Sequence, residues 1–143
     1  MSVWVLEMCG QQRLSRAALV GSGVLGLTAV GMGAYAAHGL AVVLSAESLA
    51  AVHTAVQYQM WHALALLAIS RLPADRWRQA VVLLWIGGTL CFAGSLYALV
   101  FTSLRPGLLT PFGGLLLMCG WLVLMLSAFF RASADSVKKE PLI

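Results

Sequence analysis

Charged positions in this chain are confined to its ends and to short gaps between long apolar blocks. Residues 17–46, 48–70, 79–104 and 106–130 contain no Asp, Glu, Lys or Arg. A helix crossing a bilayer core of about 30 Å needs roughly 20 residues, and each block supplies them. A soluble helix of that length requires a charged outer face, and none of the four has one. The pattern predicts an all-α polytopic membrane protein. Its four transmembrane helices, at residues 17–37, 48–70, 79–101 and 111–130, are expected to form a compact bundle. Residues 1–16 and 132–143 are read as tails, and no length is left for a soluble domain.

Local signals set the boundaries. Gly39 is available to end the first helix. Ser45 and Glu47 open the second, since a hydroxyl at the N-cap and a carboxylate in the first turn both meet unpaired N–H groups. Pro73 stops it. Asp75 is placed to cap the third helix, with Trp77 and Arg78 at headgroup level. Arg105-Pro106-Gly107 reads as a tight turn, followed by Thr110 as cap and Pro111 in the first helical turn.

The basic residues fix a direction. Arg13, Arg16, Arg71, Arg76, Arg78, Arg131, Lys138 and Lys139 fall on one side of the predicted spans, and only Arg105 falls on the other. The positive-inside rule then puts both termini in the cytoplasm, in a multi-pass protein of the bacterial cytoplasmic membrane. Arg13, Arg16 and the Ala34-Tyr35-Ala36 segment imitate a secretory signal. The apolar run between them is too long for one, and three more spans follow.

Composition adds exclusions. The chain is 61% hydrophobic and 10% charged, with a mean hydropathy of +0.90, which rules out disorder and an ordinary soluble domain. A net charge of +4 raises the question of nucleic acid. The basic residues sit beside spans, where they meet anionic lipid, so no nucleic-acid partner is predicted. Cys9, Cys91 and Cys119 have no metal or redox spacing and read as small apolar residues.

Small residues suggest how the helices meet. Ala18, Ser22, Gly26, Ala29, Gly33 and Ala37 recur at steps of three or four, forming a stripe against which a neighbouring backbone can lie. Leu25 falls outside it. Gly87, Cys91, Gly94 and Ala98 repeat the device, and Gly113, Gly120 and Ser127 stand seven apart. Gly21-x-Gly23-x-x-Gly26 has dinucleotide-motif spacing but neither follows a strand nor opens a helix, so it is discarded.

The few polar residues gather in the second block and toward the outer side. Tyr58, Gln59 and His62 share a helix face, and His53 and Gln57 form another pair. His38, Gln57, Tyr58, Gln59, His62, Ser95 and Tyr97 make up a candidate polar cluster. Unpaired polar groups in lipid cost several kcal/mol, so bonds between helices are the first expectation, with Ser95 and Tyr97 as candidate partners of Tyr58, Gln59 and His62. A ligand or proton site around His62 is the functional alternative. Haem ligation needs histidines at matched depth on facing helices, and His38 and His62 differ in depth. No catalytic residue, metal site or cofactor is predicted.

Several of these residues carry a family resemblance. Gly33-Ala34-Tyr35-Ala36-Ala37-His38-Gly39 resembles a glycine-alanine-aromatic-glycine-alanine-histidine segment of the family called domain of unknown function 423. These are small four-span bacterial proteins with eukaryotic relatives such as transmembrane protein 256. The resemblance continues through Tyr58-Gln59-Met60-Trp61-His62-Ala63-Leu64-Ala65, Gly94-Ser95-Leu96-Tyr97, Thr110-Pro111-Phe112-Gly113-Gly114 and Gly120-Trp121. It spans roughly residues 21–131 and leaves 1–12 outside. Ala36 departs from the usual glycine and Tyr35 from the usual phenylalanine. The resemblance implies an integral membrane protein and brings no activity, cofactor or catalytic residue.

Two function classes follow. One is a non-enzymatic accessory, assembly or structural membrane component, whose partners are the lipid bilayer and a second copy or a larger complex. The other is a small oligomeric transporter or channel using the cluster around His62. Acid–base catalysis would need a positioned partner for the histidine, and Glu47, the only acidic residue on the outer side, lies at the loop.

Overall fold

The computed structural model describes the backbone of residues 3–73 and 75–138 and the side chains of residues 10–73 and 75–130. The expectations for Cys9, Arg131, Lys138 and Lys139 concern side chains outside the described residues. Four long helices account for most of the chain: α1 (Val3–His38), α2 (Ala46–Ile69), α3 (Arg76–Phe101) and α4 (Leu109–Lys138), with a 3-10 turn at Leu40–Val42. At about 1.5 Å per residue, α2, of 24 residues, is about 36 Å long. Three segments, Gly10–Val42, Arg76–Phe101 and Leu109–Phe130, are long and apolar enough to cross a membrane. In α2, His53, Gln57, Gln59 and His62 dilute the apolar character.

The caps explain two of the helix starts. Ser45 Oγ accepts from the Ser48 N–H at 3.2 Å, and Asp75 Oδ1 accepts from the Arg78 N–H at 2.7 Å. Gly107 makes its turn at φ +51°, a conformation glycine adopts without a Cβ penalty. Elsewhere the boundaries move. Residues 3–16, read as a tail, continue α1, because nothing between Val3 and His38 interrupts its backbone hydrogen bonding. Thr110 lies inside α4 instead of capping it. Gly39 follows α1 in a right-handed conformation, packed against the Tyr35 ring.

Helix directions alternate. Ser15, Thr28, Gln59, Ser70, Arg78 and Tyr97 meet so that rising numbers on α1 and α3 match falling numbers on α2. Gly113 and Gly120 of α4 meet Phe92 and Trp85 of α3 in the same antiparallel sense. Neighbours in sequence are neighbours in space. α1 packs on α2, α2 on α3 and α3 on α4, while α1 touches α3 only briefly and, among the described residues, has no backbone approach to α4. The set is therefore more open than the compact bundle expected.

The stripe on α1 is displaced from its expected line. Ala18, Ser22, Leu25, Ala29 and Ala36 are buried, whereas Ala37 is exposed. Leu25, expected outside the stripe, is core. Gly26 and Gly33 flank this face: a Cβ added to them would lie 3.9 Å from Ala63 Cβ and 3.4 Å from Val56 Cγ1. On α3 the expectation for Gly87 and Gly94 fails, since a Cβ at either meets nothing within 4 Å. The close approach is made one residue later, by Gly88, where a Cβ would fall 3.0 Å from the Leu117 backbone nitrogen. Gly113 and Gly120 do lie at the α3–α4 seam. A Cβ on Gly113 would meet Phe92 N at 2.5 Å, and one on Gly120 would meet Trp85 Nε1 at 2.5 Å.

Candidate functional site

α2 presents its buried face to three other helices, and two polar side chains on that face organise the interior. Gln59, 5% exposed, donates through Nε2 to the Leu25 carbonyl at 3.0 Å and to Thr28 Oγ1 at 2.6 Å, both on α1. Its Oε1 accepts from the Tyr97 hydroxyl of α3 at 2.9 Å. Thr28 in turn donates to the Val24 carbonyl at 2.7 Å. The amide thus ties three helices together with both ends engaged, which is the condition for placing it in an apolar interior.

His62 lies one turn further along the same face. Its Nδ1 is 2.8 Å from the Tyr58 carbonyl, and a carbonyl only accepts, so the ring hydrogen is on Nδ1. That leaves Nε2 as the acceptor for the indole N–H of Trp121, 3.2 Å away on α4. The neighbours thereby select a single tautomer. Trp85 and Trp121 flank the imidazole edge-on at 5.9 and 6.1 Å and lie 4.6 Å from one another. Tyr58 packs on Phe92 at 4.7 Å. This aromatic box is what links α2 to α4, whose backbones do not approach.

The other expected cluster members separate. Ser95 donates to the Phe92 carbonyl at 2.8 Å and pairs with Thr110 at 2.6 Å, joining α3 to α4. Of the two candidate partners, Tyr97 bonds Gln59, Ser95 turns to α4, and His62 meets Trp121 instead of either. Gln57 and His38 are exposed, as is His53, so the face they occupy points away from the interior. The expected cluster resolves into Gln59–Tyr97, His62–Tyr58 and Ser95–Thr110, which do not converge on one site.

Arg78 is the residue that sequence reasoning misplaced. Expected among the cations that meet anionic lipid, it is 3% exposed. Its Nη2 donates to the Ser70 carbonyl at 3.0 Å and to Ser15 Oγ at 3.0 Å, and its Nη1 donates to the Leu72 carbonyl. The last carbonyls of a helix lack intrahelical partners and carry its negative dipole end. Arg78 satisfies the Ser70 carbonyl at the C-cap of α2, holds the Leu72 carbonyl of the loop that follows, and binds α1 through Ser15 as well. Asp75 three residues earlier was a legible signal, because it fixes the first turn of α3 beside the end of α2.

Beside Gln59, α1 and α3 diverge and leave an open cleft of about 350 Å³, lined mainly by apolar side chains such as Val24, Met32 and Leu90. Thr89 lies on its wall, 1% exposed, and its hydroxyl has no partner among the described residues.

Comparison with known proteins places these features in a family. Residues 32–114 match the family described as Protein of unknown function (DUF423). A UPF0382 membrane protein of Haemophilus influenzae is 39% identical over 107 residues, covering 73% of this chain and 86% of the relative. One from Staphylococcus saprophyticus is 41% identical over 109 residues, covering 72% and 88%. The UPF0382 inner membrane protein YgdD of Escherichia coli is 33% identical over 132 residues, covering 88% and 98%. No solved structure matches. Tyr97, Gln59 and the backbone of His62 all fall within the matched segment, and the chain belongs to the DUF423 family of membrane proteins, whose molecular function is unknown.

Proposed function

We propose that this integral membrane protein is a non-enzymatic component of the bacterial cytoplasmic membrane. In this reading all four helices span, both termini are cytoplasmic, and the chain acts by packing with a second copy or within a larger membrane complex. One observation carries the reading. The buried polar side chains of α2 spend their hydrogen-bonding groups on α1, α3 and α4, as expected of groups that hold a helix assembly in register. The name of the Escherichia coli relative supports the location, and the one-sided placement of Lys and Arg supports the topology.

The test has two arms. A reporter active only in the cytoplasm is expected to work after Ile143 or within residues 73–78, and to fail near Ala41 or Arg105. Cytoplasmic activity at Ala41 overturns the topology. Purification in mild detergent is expected to yield an oligomer or a stoichiometric membrane partner. A monodisperse single chain that turns over a substrate overturns the function.

The cleft beside Gln59, with the unpartnered Thr89 hydroxyl on its wall, favours a second reading as a small oligomeric transporter. Solute or proton flux in reconstituted vesicles that His62→Leu abolishes, without loss of folding, would select it.

A further inference from the structure

α1 and α3 come together at one level, where a Cβ on Gly21 would lie 3.0 Å from Ile86 Cδ1. From that pinch toward the Arg76 end of α3 the two helices flank an open groove of about 830 Å³. At the Arg76 end it carries Arg13 of α1 and Arg76 and Gln79 of α3, all exposed, and its apolar wall is formed by the half-buried Leu14 and Ile86 with the exposed Leu83. Neither Arg13 nor Arg76 has an acidic group within ion-pair distance among the described residues. Asp75, also at the mouth, turns Oδ1 to the Arg78 N–H. The first turn of α3 opens there too, adding the positive end of its dipole.

We propose that this groove binds an anionic phospholipid. The phosphate sits between Arg13 and Arg76 with Gln79 beside it, and one acyl chain lies along Leu14, Leu83 and Ile86 to the pinch at Gly21. The two-part chemistry selects the occupant. A free phosphate would use the arginines and leave the apolar wall bare, and an apolar chain alone would leave the arginines unsatisfied. From Asp75 to Ile86 the wall runs about 16 Å at the rise of an α-helix, which takes a ligand from headgroup level well into the hydrocarbon. The volume is within the range of about 300–1,000 Å³ typical of ligand sites, and basic pockets between spans are a recognised form of lipid site. A zwitterionic headgroup brings an ammonium toward two guanidiniums and is disfavoured by like charge.

The test is native mass spectrometry of the full-length protein in neutral detergent, titrated with phosphatidylglycerol or with phosphatidylethanolamine of matched acyl chains. Phosphatidylglycerol is expected to be retained as one tight adduct and phosphatidylethanolamine far more weakly. An arginine near an anionic headgroup contributes roughly five-fold in affinity, so R13Q/R76Q is expected to weaken retention about 30-fold. R71Q removes an exposed arginine from the neighbouring loop and is expected to leave retention unchanged. Ala17→Trp narrows the groove without altering charge and is expected to lower lipid retention while the circular dichroism spectrum stays helical. Equal retention of the two lipids, an equal loss with R71Q, or displacement of the lipid by millimolar inorganic phosphate overturns the proposal. So does a dimer that closes over the groove and excludes the lipid.

Discussion

The seam between α3 and α4 and the junction of α1, α2 and α3 solve the same problem with different chemistry. Lipid tails offer no hydrophobic drive between helices, so association needs close packing or hydrogen bonds. Beyond the single Ser95–Thr110 bond, the seam relies on packing: Gly113 lies on the Phe92 backbone, Gly120 on the Trp85 ring and Gly88 against Leu117. The junction uses hydrogen bonds, through Gln59 to α1 and α3 and through Arg78 to α1 and the end of α2. Glycine contacts against a backbone leave no way for the neighbour to give. A side-chain hydrogen bond can be lost while its partners find others, so the seam is expected to be the less forgiving region.

The strongest test of that contrast is Gly113→Leu, which drives a side chain into the Phe92 backbone. Overpacking of this kind costs about 3 kcal/mol or more, read as a lowered unfolding midpoint in a denaturing-detergent titration. Gly87→Leu faces open space and is expected to change stability by less than about 0.5 kcal/mol. Equal effects of the two would dissolve the seam as a distinct region.

Next in size is Arg78→Ala. It deprives the Ser70 and Leu72 carbonyls of a charged donor, which is expected to cost about 2–3 kcal/mol. Hydrogen exchange should rise first at the end of α2, before the seam responds. Arg71→Ala, an exposed neighbour, is the control and is expected to be silent.

Gln59→Leu follows, at about 1–3 kcal/mol, because it strands the Tyr97 hydroxyl and removes both bonds to α1. Tyr97→Phe removes only one of those bonds and is expected to cost less. A Tyr97→Phe loss as large as that of Gln59→Leu would mean the α1 side of the bond contributes nothing.

The smallest effect belongs to the link between α2 and α4. Trp121→Phe keeps an aromatic ring but removes the donor to His62 Nε2, and bonds of this kind average about 0.6 kcal/mol between spans. His62→Gln is expected to stay close to the parent, since an amide also donates and accepts, while His62→Leu loses more. The order of the two His62 variants sharpens the comparison more than either value alone.

What was legible in the sequence was mainly local. Ser45 and Asp75 cap helices because an N-cap depends on residues within one turn. Gln59 and His62 were recognised as sharing a face because helical spacing alone decides that. Their partners could not be read, because two of them, the Leu25 and Tyr58 carbonyls, are backbone atoms that every residue carries. Gly87 was taken for Gly88 because small residues occupy both positions, and the choice of face depends on where α4 lies. Arg78 was counted with the exposed cations, since burial of an arginine depends on carbonyls from the end of a different helix. Tyr97 was one of two candidates offered to Tyr58, Gln59 and His62, and only the placement of α3 against α2 decides that it meets Gln59.

The bonding of Gln59 also bears on how the chain is built. On the four-span reading, α2 leaves the ribosome without the long apolar stretch that the other three helices have, and with an amide that has no partner within its own segment. The Leu25 carbonyl and Thr28 are already in the bilayer by then, because α1 precedes it, so one end of the amide can be satisfied on arrival. Tyr97 and Arg78 come only with α3. On that reading membrane insertion of α2 is a cooperative event, prepared by the helix before it and completed by the helix after it. The order of synthesis supplies each partner in turn.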